Sequence, residues 1–279
     1  MPTFVYGGLR HAAFPDSGHP DALVYVPTRI DPTRLGVVMY LHGFDNCIEN
    51  VAAPAPGVHD PPHPTADLIT QIEESGKNAI LFLPETRYHE QSRDPGALGE
   101  AGGLRRLLDE VLLRVAADHA PLAALQSIAA GPSAAIVRTV LAAHSGSYRA
   151  AACMVRDGGV DIQELFLLDA LYKDTELYDD ILTSIVASLS TGAARRFVNL
   201  YRAGGTAAHS LLQVEHLRRQ LAAQGLAADL LHADDEESEP ADEQLSHPLL
   251  VKRVPTAHSD FGRTYVGRLL RTGGLPAIG

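Results

Sequence analysis

The sequence predicts an α/β fold in which helices cover both faces of a mostly parallel central sheet. Continuous apolar runs such as Gly36–Leu41 and Asn78–Pro84 are typical of strands that are buried on both faces, as the strands of parallel sheets are. The segment Gly102–His119 places apolar residues at the i, i+3, i+4 and i+7 spacing of an amphipathic helix. Signals of these two kinds alternate along the chain, and this alternation favours a layered α/β architecture.

The predicted strands run from near the N-terminus to near the C-terminus. The first two are separated by a stretch rich in Gly, Pro and Asp, which indicates a meander at one edge of the sheet. The later ones are short apolar runs that end in polar or small residues. We predict strands at Thr3–Tyr6, Ala22–Pro27, Gly36–Leu41, Asn78–Pro84, Ile136–Ala143, Glu164–Leu168, Phe197–Tyr201 and Leu249–Val254.

Helices are predicted between these strands from apolar periodicity and from runs of small residues. They lie at Ala66–Ser75, Gly102–His119, Tyr148–Val155, Leu182–Leu189, Ala207–Gln224 and Gly262–Arg271. The Pro-rich segment APAPGVHDPPHP predicts a long loop at 53–64. No repeat is visible and no linker separates two cores, so we predict that residues 1–279 form a single domain.

Composition narrows the class of protein. The chain has a formal net charge of −11, and this acidic balance argues against a nucleic-acid partner, because phosphate binding needs a basic surface. No apolar run is long enough to span a membrane. Seven of the ten residues at 234–243 are acidic, which is typical of a solvated loop. The N-terminus lacks the features of a signal peptide, which favours a cytoplasmic location.

The chain contains only two cysteines, Cys47 and Cys153, so no disulfide framework holds the fold together. The sequence leaves open whether these two cysteines form one disulfide with each other, and two reduced thiols are the simpler interpretation. A metal site at His59, Asp60 and His63 is disfavoured, because the segment lacks the spacing of known zinc motifs. We therefore predict no metal and no organic cofactor. The sequence does not indicate an oligomeric state.

The strongest chemical signal is Ser145, which lies between a predicted buried strand and an Ala-rich helix. A nucleophilic serine must be exposed on a sharp strand–turn–helix elbow, whose crowded backbone needs small residues two positions before and after the serine. Ala143 and Ser147 occupy those positions, so the segment is a relaxed form of G-x-S-x-G. The alternative is that Ser145 only caps the following helix, a role that serine often fills.

Two related His-Ser pairs compete with this segment. Ser210 is followed at the second position by Leu212, and Ser259 is followed by Phe261. Bulky side chains at that position would clash in an elbow, so Ser145 is the predicted nucleophile.

A second motif, His42-Gly43-Phe44, follows the strand Gly36–Leu41. Acyl transfer develops negative charge on a carbonyl oxygen, which fixed N–H donors stabilise. The chain contains, in this order, the HGF motif, a serine elbow, an acid and a late histidine. This order of motifs resembles that of the α/β-hydrolase family, and the resemblance covers about residues 3–271. The resemblance implies that the backbone N–H groups of Phe44 and Gly146 form the oxyanion hole. The alternative for HGF is a tight turn that merely needs a glycine.

The resemblance also implies that His258, which follows the last predicted strand, is the general base. The alternatives are His209, which would need an unusual loop path, and a chance match among 13 histidines. His144 is adjacent to the serine and should point elsewhere.

The acid is less well defined. The family usually places it after the strand before the last one, but here Phe197–Tyr201 is followed by Arg202–Thr206, which contains no carboxylate. Asp169, at the end of Glu164–Leu168, occupies the alternative location that some members use. Asp174 and Asp260 are rivals, and Asp169 could also be a plain helix cap.

These residues predict a serine hydrolase that cleaves carboxylic esters, of the carboxylesterase or lipase-like type. About 26 residues separate Asp169 from Arg196, too few for a large cap domain, so we expect an open site or one covered by the loops at 48–65 and 86–100. An open site suits small esters as well as polymer chains. The alternatives are an amidase or peptidase with the same triad, and a hydrolase-fold binding protein without turnover.

Overall fold

The computed structural model describes residues 2–15, 17–52, 65–86, 94–192 and 195–279, and the strands in these ranges form one sheet. The sheet order is β1-β2-β4-β3-β5-β6-β7-β9-β8; β2 pairs antiparallel with both of its neighbours, β1 and β4, and the remaining neighbours are parallel. The strands are β1 Thr3–Tyr6, β2 Ala22–Tyr25, β3 Gly36–Leu41, β4 Ala79–Pro84, β5 Arg138–His144, β6 Glu164–Leu168, β7 Arg196–Tyr201, β8 Leu231–Asp234 and β9 Leu249–Arg253.

Helices cover both faces of this sheet, since the central strands are apolar on both sides and need cover on both. The helices are α1 Ile48–Ala52, α2 Leu68–Glu74, α3 Gly103–Asp118, α4 Tyr148–Asp157, α5 Asp179–Ser190, α6 Ala207–Ala223, α7 Asp242–Leu245 and α8 Phe261–Thr272. Apolar residues of α3 to α6 pack into the core on one face, and those of α1, α2, α7 and α8 pack on the other. The predicted fold class is confirmed.

All eight predicted strands are present, with ends that differ by a few residues. The sequence missed β8, a half-buried four-residue strand at the sheet edge that has no continuous apolar run. It also missed α1 and α7, which are too short to show a helical period. The prediction of a loop at 53–64 lies outside the described residues.

Most acidic residues of the segment 234–243 are exposed, as its charge predicts, but Asp234, the last residue of β8, pairs with a buried side chain. Lys252 of β9 is fully buried, and its Nζ donates to Asp234 Oδ2 at 2.6 Å, to the Glu236 carbonyl at 3.0 Å and to Ser238 Oγ at 2.9 Å. A buried ammonium group must be paired to be tolerated. Part of the acidic segment therefore neutralises a cation inside the fold.

The parallel strands point their carboxyl ends toward one edge of the sheet, where ligands of open α/β sheets bind. The loops that follow β3, β5, β6 and β9 meet there. Cys47 and Cys153 are not disulfide-bonded. None of the helices in the described ranges has both the length and the apolar character needed to cross a membrane.

Candidate active site

Ser145 lies on a sharp turn between β5 and α4. Its φ is +56°, in the left-handed region that residues other than glycine rarely adopt. The following Ser147 is fully buried, and its Oγ lies 2.7 Å from the His144 carbonyl and 3.1 Å from the Leu41 carbonyl. A larger side chain at this position would not fit between the ends of two neighbouring strands. The strained backbone thus lifts Ser145 out of the sheet, as the elbow interpretation predicts.

The loop after β3 approaches this serine closely. A Cβ atom added to Gly43 would lie 2.7 Å from Ser145 Cβ and 3.3 Å from Ser145 Oγ. Carbon atoms in contact are normally about 3.5–4.0 Å apart. Only glycine therefore allows the backbone of Phe44 to lie beside the serine hydroxyl.

His258 connects Ser145 with Asp169. Its Nε2 is 2.8 Å from Ser145 Oγ, and its Nδ1 is 2.7 Å from Asp169 Oδ2. The imidazole is about one-third exposed, whereas the carboxylate is buried. The three side chains come from the loops after β5, β9 and β6, and each is the residue that the sequence singled out for its position.

Asp169 is buried, and every contact around it favours the carboxylate form. Its Oδ1 accepts hydrogen bonds from Thr206 Oγ1 at 2.6 Å and from the Arg202 N–H at 3.2 Å. Burial alone would raise the pKa of Asp169, but the hydrogen bonds from His258, Thr206 and Arg202 outweigh it and hold the pKa below its usual value. Asp169 therefore stays ionised and can stabilise a protonated His258.

The rival residues lie elsewhere in the described structure. Asp174 precedes a short helical turn and lies 3.5 Å from the Tyr148 hydroxyl. Asp260 occupies the N-cap position of α8. His209 and Ser210 are on α6, and Ser210 Oγ bonds to the Thr206 carbonyl at 2.9 Å.

His144 supports the loop that carries His258. Its Nε2 is 2.8 Å from the His258 carbonyl, and the two rings are 4.8 Å apart. Burial, together with the neighbouring His258, lowers the pKa of His144 to about 4. His144 is therefore neutral around pH 7, so it can donate this hydrogen bond without placing a second charge beside His258.

His42 fixes the peptide that leads into Phe44. Its Nδ1 donates to the Gly43 carbonyl at 2.9 Å, and its Nε2 lies 2.7 Å from Glu85 Oε1. Burial lowers the pKa of His42, but the Glu85 carboxylate outweighs burial and raises it above its usual value. In a trans peptide the carbonyl and the next N–H point in opposite directions. Holding the Gly43 carbonyl therefore also sets the direction of the Phe44 N–H.

Gly146, the other predicted oxyanion donor, directly follows Ser145 in the turn that leads into α4. Its N–H lies at the start of a helix, where the backbone is electropositive. Phe44 itself is 44% exposed.

A small cavity of about 190 Å³ adjoins His258 and Asp169 on the side of the β7 loop. Tyr172 lines it, 37% exposed, with its ring 6.3 Å from that of His258. Burial and the Asp169 carboxylate raise the pKa of Tyr172, while a hydrogen bond with Ser145 works against them. Tyr172 therefore stays a neutral phenol beside the serine.

Sequence reasoning missed several of these contacts. Thr206 belongs to the segment Arg202–Thr206, which the sequence analysis considered only for its lack of a carboxylate. It follows the neighbouring strand β7 and donates a hydrogen bond to Asp169. Glu85 directly follows β4 as His42 directly follows β3, and that parallel placement was a usable signal. The residues His59, Asp60 and His63 lie outside the described residues.

No protein-family model matches the sequence, and a search of curated proteins finds no match. Solved structures do match. The substrate-bound fluorophosphonate-binding serine hydrolase F of Staphylococcus aureus matches with a TM-score of 0.51 at 10% identity, over 98% of each chain. A mutant feruloyl esterase module from Clostridium thermocellum, complexed with sinapinate, matches with a TM-score of 0.50 at 11% identity, over 98% of this chain and 87% of its own.

A thermostable carboxyl esterase from Bacillus coagulans shows a weaker likeness, with a TM-score of 0.33 at 12% identity over 67% of this chain. The chain spans about half of that esterase's length, 51%. At such low identities the matches with TM-scores of 0.50 and 0.51 show the fold alone.

Proposed function

Because the chain has the α/β-hydrolase fold, we propose that it is a single-domain serine hydrolase that cleaves carboxylic esters through an acyl-enzyme. The observation that carries the proposal is His258, whose two ring nitrogens contact Ser145 Oγ and Asp169 Oδ2 at 2.8 and 2.7 Å. A nucleophile, a base and an orienting carboxylate within hydrogen-bond reach of one another are what acyl transfer to serine requires.

In the proposed mechanism, Ser145 Oγ attacks the ester carbonyl carbon while His258 Nε2 removes the hydroxyl proton. Asp169 holds the imidazole through Nδ1 and stabilises its protonated form. The N–H groups of Phe44 and Gly146 bind the oxyanion, each contributing about 3–4 kcal/mol in such sites. His258 then gives its proton to the leaving alcohol, and a water molecule activated by the same imidazole hydrolyses the acyl-enzyme.

The surroundings of Ser145 favour an open site. Between Asp169 and Arg196 the described residues form one short helical turn and α5, and α5 packs against α6 and β7 rather than over the serine. Two exposed aromatic rings, Phe44 and Tyr172, lie near the nucleophile. This arrangement suits esters of varied size, including polymer chains and, as in the feruloyl esterase module, esters of aromatic acids. The predicted covering loops are 48–65 and 86–100, and of these the residues 53–64 and 87–93 lie outside the described ranges.

The test is covalent labelling with a fluorophosphonate probe, with the adduct mapped by mass spectrometry. We expect modification at Ser145, loss of labelling in Ser145→Ala, and unchanged labelling in Ser259→Ala, the exposed serine of a similar His-Ser pair. The same variants are assayed with p-nitrophenyl acetate and butyrate. Labelling elsewhere, or equal turnover by wild type and Ser145→Ala, would contradict the proposal and favour a binding protein without turnover.

A matched p-nitroanilide substrate separates an esterase from an amidase or peptidase with the same residues. We expect kcat/KM for the ester to exceed that for the anilide. The opposite order would assign amide substrates to the site.

A further inference from the structure

A cluster of side chains outside the hydrolytic site brings together an imidazole, a thiol and a carboxylate. His19 belongs to the turn before β2, and Cys47 and Glu49 lie in and just after the loop that follows β3. One ring nitrogen of His19, the Sγ of Cys47 and one carboxylate oxygen of Glu49 all lie within 4.8 Å of one another. His19 Nδ1 and Glu49 Oε2 are 3.6 Å apart. Cys47 is buried, whereas the other two side chains are partly exposed.

The Glu49 carboxylate carries an unsatisfied atom in this cluster. Its Oε2 is buried, and no hydrogen-bond donor reaches it from the described residues. Leaving a buried carboxylate oxygen without a partner costs free energy, and such atoms in folded proteins usually bind a donor, a water molecule or an ion. A cation between the three ligand atoms would satisfy it.

We propose that His19, Cys47 and Glu49 form a binding site for a divalent ion that prefers sulfur and nitrogen ligands, with Zn²⁺ the physiological candidate. Tetrahedral zinc at its normal bond lengths holds such ligand atoms about 3.3–3.7 Å apart. The His19–Glu49 pair, at 3.6 Å, already has this separation, and the other pairs, within 4.8 Å, need to close by about 1.5 Å at most.

The ligands lie on short segments that are held in place by hydrogen bonds. Ser17 Oγ contacts both the N–H and the carbonyl of His19, at 3.2 and 3.3 Å. Asn46 Oδ1 accepts from the Cys47 N–H at 3.0 Å and from Asn50 Nδ2 at 2.6 Å. This framework limits the movement that binding requires.

Binding changes the protonation of Cys47. Burial raises the pKa of this thiol to about 12, and Glu49 adds to the rise, so the metal-free side chain carries its proton. On binding, the S–H bond breaks, the proton passes to solvent and the thiolate binds the ion, as is usual for zinc-bound cysteine. The ion would then connect the turn at His19 to the loop that begins at Phe44.

The experiment is a titration of the full chain with Cd²⁺, which reports thiolate binding by an ultraviolet charge-transfer band. We expect a band that saturates at one ion per chain, that survives in Cys153→Ser and that is lost in Cys47→Ser. His19→Gln and Glu49→Gln, at partly exposed positions, should weaken binding at least tenfold while circular dichroism shows an unchanged fold. Zn²⁺ should displace Cd²⁺ and raise the melting temperature of wild type but not of Glu49→Gln.

A wild-type protein without a saturable band would overturn the site. So would a band that is lost in Cys153→Ser but kept in Cys47→Ser, or an affinity that is unchanged in both His19→Gln and Glu49→Gln. The titration is repeated on Ser145→Ala, where equal binding is expected, so the outcome does not depend on whether the chain hydrolyses esters.

Discussion

Replacing Gly43 with alanine tests the geometry of the proposed oxyanion hole. The added methyl carbon would lie 2.7 Å from Ser145 Cβ, 3.3 Å from Ser145 Oγ and 3.3 Å from His144 Nδ1. The first distance is about 1 Å shorter than a normal carbon–carbon contact. Either the serine or the peptide that carries the Phe44 N–H must therefore move by about that amount.

The expected loss follows from this displacement. A shift of about 1 Å at a reacting group costs about 10²-fold in rate, and losing one oxyanion donor costs about 10²–10³-fold, or about 3–4 kcal/mol. We therefore expect kcat of Gly43→Ala on p-nitrophenyl butyrate to fall by about 10²–10³-fold, with a much smaller change in KM, because the donor acts mainly in the transition state.

Gly7→Ala is the matched control, since a Cβ at Gly7 meets no atom within 4 Å and its φ is not positive. It should leave kcat and the melting temperature unchanged. A Gly43→Ala variant that folds and retains kcat within threefold of wild type would refute the argument, because the close approach to Ser145 would then have no bearing on turnover.

Three further substitutions test the supporting contacts. Asp169→Asn should lower kcat by about 10³–10⁴-fold with the fold intact, because the imidazolium loses its partner; steady-state kinetics measure it. Glu85→Gln should lower the free energy of unfolding in urea by about 3–5 kcal/mol, because it breaks a buried ion pair with His42. Burial lowers the pKa of His144 to about 4 from the usual 6.5, so the unfolded chain binds a proton at this position before the folded chain does as the pH falls. The free energy of unfolding is therefore unaffected by His144 above pH 6.5 and decreases as the pH falls from 6.5 to 4. In His144→Gln this decrease should be smaller by up to about 3 kcal/mol.

Each of these has a contrary outcome. A less than tenfold effect of Asp169→Asn on kcat would move the orienting role to Asp174 or Asp260. An unchanged free energy of unfolding in Glu85→Gln would mean that the ion pair between His42 and Glu85 makes no net contribution to stability. The free energy of unfolding is measured by urea titration at pH 4 and pH 6.5. An equal decrease between these pH values in wild type and in His144→Gln would show that His144 has the same pKa in the folded and the unfolded chain.

The sequence allowed the fold class and the position of Ser145 to be predicted, because both depend on local features, whereas His258 was predicted from its place in the chain order of the family that the sequence resembles. Buried strands appear as continuous apolar runs, and the elbow appears as small residues around the serine. The structure brings both residues together with Asp169. The catalytic roles of these residues and the single-domain organisation stay predictions until they are tested.

The contacts that the sequence did not predict depend on which strands are neighbours. His42 and Glu85 meet because β3 and β4 are adjacent and parallel, and the pattern of apolar residues does not encode strand order. The sequence could not decide between Asp169 and its rivals for the same reason, because that decision also depends on which strands are neighbours. Lys252 was missed for another reason: a lysine within an apolar strand gives no sign of the carboxylate that will neutralise it.

The sheet order has a consequence for how this protein can acquire new substrates. The loop that carries His258 leaves β9 and must pass the end of β7 before it reaches β6 and β5. Residues inserted at 203–205, after β7, would grow into that path and push the imidazole away from the serine. Residues inserted near Tyr172, after β6, would grow along the rim of the site instead. We expect evolutionary variation in chain length to concentrate after β6, with the glycine-rich turn after β7 kept short.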